Sequence, residues 1–275
     1  MGKDGKMKIG IFYLDGVKIK KTAEELANFF RKRNIKVFIN EKLRSAKPDK
    51  DSIIISLGGD GTFLKASHLG IEMNVPVLGI NLGNLGFLTD VEARDVFNAT
   101  DELLKGNFFI EKRAVLKGLK LGEGGKEDTF FAVNDFVLVR SIRERMMFAE
   151  IFVNGMRAGK FRSDGIVIAT PTGSTAYALS LGAPIITPSA SVYELVFIAP
   201  HKLSARPIIF SGEDHLSLRI LSKEPVSFQR DGEEIFKLKM FDRVTFEKAN
   251  RELRVVHLKK KNFFDVLNKK FGWGE

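Results

Sequence analysis

Apolar positions along the chain fall into two rhythms. In the first, short unbroken apolar runs alternate with segments of helical period. Residues 9–13 read as a buried strand. A helix is expected from Thr22, where Glu25 completes a capping box and Leu26, Phe29 and Phe30 form an apolar face. Residues 36–39 and 52–57 (SIIISL) read as strands, a short helix should follow Thr62, and 75–80 (VPVLGI) and 93–104 read as strand and helix. Apolar β-branched strands separated by helices predict a parallel sheet covered on both faces.

After about Arg113 the second rhythm begins, with strand-like runs at close spacing: 129–139, 148–153, 157–161, 165–169, 195–198, 216–221, 226–228, 243–246 and 253–258. Asn154-Gly155 and Asp231-Gly232 are hairpin-turn signals between them. One helix is expected in this half, over 174–181, stopped by Gly182 and Pro184. The pattern predicts an antiparallel, sandwich-like domain. The segment LKKKNFFDVLNKKFGW near the end reads as an amphipathic helix with a basic face.

Composition narrows the chemistry. The 275 residues are 44% hydrophobic and 28% charged, as in a folded globular chain, and suit one large domain or two modest ones. A formal net charge of +10 points to polyanionic partners without choosing between phosphates and nucleic acid. Cysteine is absent, which removes disulfides, thiol nucleophiles and thiolate metal sites. His68, His201, His215 and His257 have no ligand spacing. No apolar run approaches the ~18 residues of a membrane span, so a cytoplasmic protein with no membrane partner is expected.

Three segments carry candidate chemistry. Leu57-Gly58-Gly59-Asp60-Gly61-Thr62 lies between a strand and a helix, where open α/β sheets bind ligands. Its glycines let amide groups face phosphate oxygens, yet it is neither a P-loop nor a dinucleotide fingerprint. Asp60 is the odd residue, because a carboxylate repels phosphate. It either takes a proton from an attacking hydroxyl, helps hold Mg²⁺, or caps the next helix. Asn81-Leu82-Gly83-Asn84-Leu85-Gly86-Phe87-Leu88 is either the other wall of a cleft or a structural loop with Leu85 and Phe87 in core. The stretch 162–180 runs from an Asp-Gly turn through a strand into a Thr/Gly/Ser loop suited to sugar hydroxyls, phosphate or an adenine edge. Thr172 or Ser174 could instead cap a helix there. Asn134-Asp135 is either a bulge at a ligand edge or an exposed strand face, and Arg140, Arg143 and Arg145 are by default a solvated cluster.

Taken in order, GGDGT at 58–62, NLGNLGFL at 81–88, Asn-Asp at 134–135 and DGIVIATPTGSTAYALS at 164–180 resemble the ATP-dependent NAD kinase family, with Asp-Gly at 231–232 a weaker match. The resemblance implies a Rossmann-like α/β N-terminal domain, 1–113, and an all-β sandwich-like C-terminal domain, 114–255, with 256–275 packing back on the first. It implies transfer of a phosphoryl group from ATP, or polyphosphate, to the adenosine 2′-hydroxyl of NAD, giving NADP. Asp60 then matches the base. Gly61, Phe87, Asn134, Asp135, Arg145, Arg162, Asp164, Thr175, Ala176, Tyr177, Ala178, Leu179 and Ser180 match NAD contacts, and Gly58, Gly59 and Thr62 shape the phosphate loop. The family more often has Asn-Glu where this chain has Asn134-Asp135. Mg²⁺ or another divalent cation held mainly through substrate phosphates, and a homodimer or homotetramer sharing the NAD site between subunits, are further implications.

Other kinases of lipids or sugars carry similar GGDGT loops, but the polar TPTGSTAYALS stretch and the lack of a membrane-inserting segment argue against them. A non-catalytic NAD-binding sensor is the other alternative, less economical because Asp60 is retained. Nucleic-acid binding rests on charge alone, so no nucleic-acid partner is expected.

Overall fold

The computed structural model describes residues 7–45, 47–49, 51–83, 86–89, 91–121, 127–141, 146–259 and 262–274. It divides into two compact units, Met1–Arg113 with Leu253–Glu275, and Ala114–Glu252. The elements run β1 (Lys8–Tyr13), α1 (Val17–Arg31), β2 (Lys36–Ile39), α2 (Lys42–Ser45), β3 (Ile53–Leu57), α3 (Asp60–Met73), β4 (Val77–Asn81), β5 (Val91–Glu92), α4 (Val96–Leu104), β6 (Phe109–Leu121), β7 (Glu127–Ala132) and β8 (Asp135–Val139). There follow β9 (Met147–Val153), β10 (Met156–Ser163), β11 (Gly165–Ala169), α5 (Tyr177–Ser180), β12 (Val192–Ile198), β13 (Ile208–Ser211), β14 (Leu216–Ile220), β15 (Val226–Arg230), β16 (Glu233–Leu238), β17 (Arg243–His257) and α6 (Phe263–Phe271).

In the first unit β2, β1, β3, β4 and β5 pair in that order, all parallel, and the end of β17 pairs parallel with β4 through Val255 and Val256. Every residue of β3 and β4 is buried, which is why these strands read as unbroken apolar runs. α1 buries Ala23, Leu26, Ala27 and Phe30 against Ile9, Ile11, Ile55 and Ile80. It begins five residues before the expected Thr22, whose hydroxyl donates to the Lys18 carbonyl inside the helix. Gly16 is the N-cap and makes no side-chain bond, so this start carries no capping signature. At the far end of the chain α6 is anchored by buried Val266 and Leu267, and Asn262 accepts the Phe264 amide as its cap.

The second unit holds a six-stranded antiparallel sheet in the order β13-β12-β11-β8-β15-β16. One face contributes Phe136, Leu138, Ile166, Ile168 and Leu195 to a core shared with Ile151, Leu216, Leu218, Val244 and Phe246 of β9, β14 and β17. The other face packs Val137, Val167, Ala169 and Val196 against Ala178 and Ala183. β11 is covered on both faces and is therefore apolar throughout, although it is antiparallel. Asn154-Gly155 and Asp231-Gly232 have positive φ at both residues, the backbone of a two-residue hairpin turn.

Several expected boundaries shift. The run 129–139 is two strands, parted at Val133 and Asn134, and the runs 243–246 and 253–258 merge into one continuous strand that ends at His257. β6, β13 and β16 carry no clear sequence signal, because each mixes exposed and part-buried positions.

Register places Asp135, Ala169 and Glu194 side by side across β8, β11 and β12, all on one face. Glu194 is fully buried, and neither carboxylate oxygen has a hydrogen-bond partner among the described residues. Burial pushes its carboxyl up to about 7. A native-state pKa raised this way means the folded protein holds the proton more tightly, so stability is full below the unfolded pKa and falls until pH passes about 7. Glu194→Gln should therefore be close to the wild type near pH 4.5 and exceed its stability by roughly 3 kcal/mol at pH 8. Thermal or denaturant unfolding at both pH values measures this, and equal stability at pH 8 would refute the account.

Candidate active site

Both glycine-rich loops of the first unit leave the carboxyl ends of adjacent parallel strands, β3 and β4. Gly59 is the N-cap of α3, and no side chain fills that cap. The Thr62 amide donates to the Gly59 carbonyl, while those of Asp60 and Gly61 at the helix start have no side-chain cap, the arrangement that attracts anions. Asp60 is the first helical residue and does not cap its own helix. Its carboxylate accepts the amide of Phe87 at 2.8 Å on Oδ2 and that of Leu88 at 3.1 Å on Oδ1. A Cβ at position 86 would lie 1.9 Å from Asp60 Oδ1, so only glycine lets the second loop close on the carboxylate.

Beside these loops a cavity of about 560 Å³ is lined by Lys18, Ile19, Thr22, Gly58, Gly59, Asn81, Leu82, Gly83 and Ala93. Asn81 holds its own loop, donating to Thr89 Oγ1 and accepting the Gly83 amide. Gly61 is exposed, whereas Thr62 is turned inward and buried. Lys18 carries no sequence expectation and Thr22 is expected only as a helix start, yet both line this cavity. Phe87 is half-buried, with its ring 5.2 Å from that of Phe271. Asn84 and Leu85 lie outside the described residues.

The second unit is organised around another carboxylate. Asp231, in the hairpin turn between β15 and β16, accepts the amides of Val133, Asn134 and Asp135 at 2.9, 2.7 and 3.0 Å. These three donors sit where β7 gives way to β8, so Asn134-Asp135 marks a strand break that a remote turn caps. The Thr170–Gly173 loop is bound to the same spot: the Thr170 hydroxyl donates to the Val133 carbonyl at 2.6 Å, and its amide donates to the Asn134 carbonyl. A Cβ on Gly173 would fall 2.1 Å from that Asn134 carbonyl oxygen.

The fixed backbone presents two polar side chains that make no hydrogen bond among the described residues, the carboxamide of Asn134 and the carboxyl of Asp135. Asp135 is buried, and burial together with the charge of Asp231 raises its carboxyl to about 7. Asp164 is paired instead, accepting Arg140 Nε at 2.8 Å. Arg162 is exposed and lies 4.5 Å over the ring of Phe148. Arg145, like Arg143, lies outside the described residues.

The expected helix over 174–181 is broken. A 3-10 turn at Gly173–Thr175 is followed by Ala176 in non-helical geometry and then the single turn of α5. Neither Thr172 nor Ser174 acts as a cap: the Ser174 hydroxyl donates to the Pro171 carbonyl and accepts the Ile186 amide, and the Thr172 hydroxyl is buried without a partner among the described residues. Thr175 bonds back to the Thr172 carbonyl, Ala178 is core, and Leu179 is half-buried. Tyr177 and Ser180 are exposed, the tyrosine by 42%.

Residues 12–108 match the model of the ATP-NAD kinase N-terminal domain, and 133–258 that of the ATP-NAD kinase C-terminal domain. The chain belongs to the ATP-NAD kinase family. An NAD kinase of Magnetococcus marinus is 37% identical over 243 residues, covering 86% of this chain and 80% of the relative. One from Geotalea daltonii is 34% identical over 266 residues, covering 92% and 93%. The fold matches yeast NADH kinase complexed with NADH at a TM-score of 0.87 and 22% identity, over 99% of this chain and 89% of that one. It matches an Archaeoglobus fulgidus NAD kinase in complex with ATP at a TM-score of 0.75 and 21% identity, over 96% and 98%. As an ATP-NAD kinase the chain is a phosphotransferase that makes NADP from NAD with ATP as donor. Among the described residues, no helix is long and apolar enough to cross a membrane.

In this NAD kinase the Asp231 carboxylate should matter for stability. Asp231→Ala leaves three amides without their acceptor and also strains a turn residue at φ 48°. A loss of roughly 2–4 kcal/mol is expected by chemical denaturation. Asp231→Asn keeps the turn and one acceptor oxygen and should lose less than half as much. No loss in Asp231→Asn would assign the effect to the turn conformation alone, and equal losses would assign it to the second acceptor oxygen and the charge.

Proposed function

We propose that Asp60 is the general base of the reaction. It takes the proton of the adenosine 2′-hydroxyl of NAD while that oxygen forms a bond to the γ-phosphorus of ATP. The bond from that phosphorus to the β,γ-bridging oxygen breaks, so NADP and ADP leave and the proton stays on the carboxylate. The observation that supports this reading is the bonding of Asp60. Two amides orient its carboxylate, one on each oxygen, and the remaining lone pairs are open to a hydroxyl. Lys18, Gly58 and Gly59 take the donor phosphates in the cavity they line, the lysine as a point charge and the glycines through close backbone approach. A polyphosphate presents the same terminal group and is the second donor to assay.

The candidate NAD contacts are, in the first unit, Gly61 and Phe87, and, in the second, Asn134, Asp135, Arg162, Asp164, Thr175, Ala176, Tyr177, Ala178, Leu179 and Ser180. Asn134 and Asp135 support this most directly, since each offers an unbonded polar group on a fixed backbone. Among the described residues, no three His, Asp or Glu side chains are grouped to hold a metal. The cavity's cationic and amide lining instead fits a divalent ion that arrives on the donor phosphates. When bound, that ion would neutralise phosphate charge. A cytoplasmic homodimer or homotetramer completes the proposal.

Asp60→Asn tests the base. The amide can accept one of the two backbone bonds but turns a donor toward the other amide, so stability should drop by about 1 kcal/mol. Turnover should fall by roughly 10²–10⁴-fold with the KM for NAD little changed. Turnover above about a tenth of wild type sinks the assignment. Tyr177→Ala tests the NAD pocket. Because the ring is surface-exposed, its loss should move stability by less than about 0.5 kcal/mol. The KM for NAD should rise roughly tenfold with kcat nearly constant. A lowered melting temperature with an unaltered KM would show that the ring is packing.

A further inference from the structure

We propose that the C-terminal helix α6 is a positioning element of the phosphotransfer site, acting through the contact of Phe271 with Phe87. The proposal rests on the reading of Asp60 as the base. Asp60 takes its orientation from two backbone amides, those of Phe87 and Leu88. Whatever fixes that short stretch therefore fixes the carboxylate. Leu88 and Thr89 are buried and hold its distal side, and Gly86 lies against the carboxylate with no room for a side chain. The half-buried ring of Phe87 is in contact with α6. The Phe271 ring centroid is 5.2 Å away at an interplanar angle of 38°, and the Lys270 ammonium is 5.9 Å from the Phe87 centroid.

α6 is built to make this contact. Leu267, one turn earlier on the same helical stripe, is buried and anchors the helix. Gly272 ends the helix in left-handed geometry, its amide donating to the Asn268 carbonyl. The chain then folds back, with Trp273 stacked on Phe264 at 5.7 Å and its carbonyl accepting the Asn268 carboxamide. Phe271 itself remains 47% exposed, so the core does not depend on it. A ring that is half in solvent and seated on the loop that orients the base suits a role in alignment better than one in folding.

The test is a double-mutant cycle with Phe271→Ala and Asp60→Asn, measuring kcat, the KM values and the melting temperature of each protein. Phe271→Ala alone should lower kcat about 3- to 30-fold, leave the KM for ATP unchanged and shift the melting temperature little, because misplacing a reacting group costs rate rather than donor binding. In the Asp60→Asn protein the same change should alter kcat by less than twofold, since there is no base left to misalign. Phe271→Tyr, which keeps the ring, should restore turnover. An equal fractional loss in both backgrounds, or no loss in the wild type, overturns the positioning role while Asp60 stands as the base. An Asp60→Asn protein with near-normal turnover overturns the base and the positioning role together.

Discussion

Backbone amides at the end of a strand or in a tight loop need acceptors, and in each unit of this chain a distant aspartate supplies them. Asp60 reaches the amides at 87 and 88, and Asp231 reaches those at 133, 134 and 135. A buried amide without an acceptor costs about 1–3 kcal/mol, so each carboxylate ties together segments that local propensity would leave apart. The glycines nearby follow from these ties. Position 86 has no room for a side chain because Asp60 occupies it, and position 173 has none because the Asn134 carbonyl does.

The two aspartates also show how a shared device separates into structure and chemistry. Asp231 accepts three amides, two of them on one oxygen, in a turn whose own backbone is constrained. Asp60 accepts two, one per oxygen, at a helix start whose cap is empty and beside a cavity with a lysine in its wall. The first is occupied by holding a strand break in shape. The second is oriented by its loop and still has capacity for a hydroxyl proton. Asp135 lies between these extremes. Its carboxyl is raised to about 7 by burial and by the charge of Asp231.

Sequence carried the architecture well where burial is two-sided. SIIISL, VPVLGI and GIVIA read as strands because β3, β4 and β11 are covered on both faces. It failed where the deciding partner is remote or the local signal is ambiguous. Thr22 and Glu25 have the form of a capping box but sit inside α1, and the helix starts at an uncapped glycine. Ser174 has the form of an N-cap but is bonded to Pro171 and Ile186, and Ala176 breaks the helix after it. Asp60 illustrates the limit most clearly. Its importance showed in the motif, while its bonding did not, because the amides it accepts lie 27 and 28 residues away.

That bonding bears on how the reaction is driven. A carboxylate is a weak base for an alcohol, and a mechanism that required an alkoxide before attack would be poorly served by one. Phosphoryl transfer proceeds through a loose transition state in which the attacking oxygen has formed little bond, so its proton can leave late. What the site must then provide is a proton acceptor already in line, together with charge neutralisation around the moving group. On the proposed reading, two amide bonds on Asp60, a loop closed against it through a glycine, and a helix ring beside Phe87 would all serve alignment. For the proposed role of Asp60 as base, orientation rather than strength is the quantity this arrangement would control.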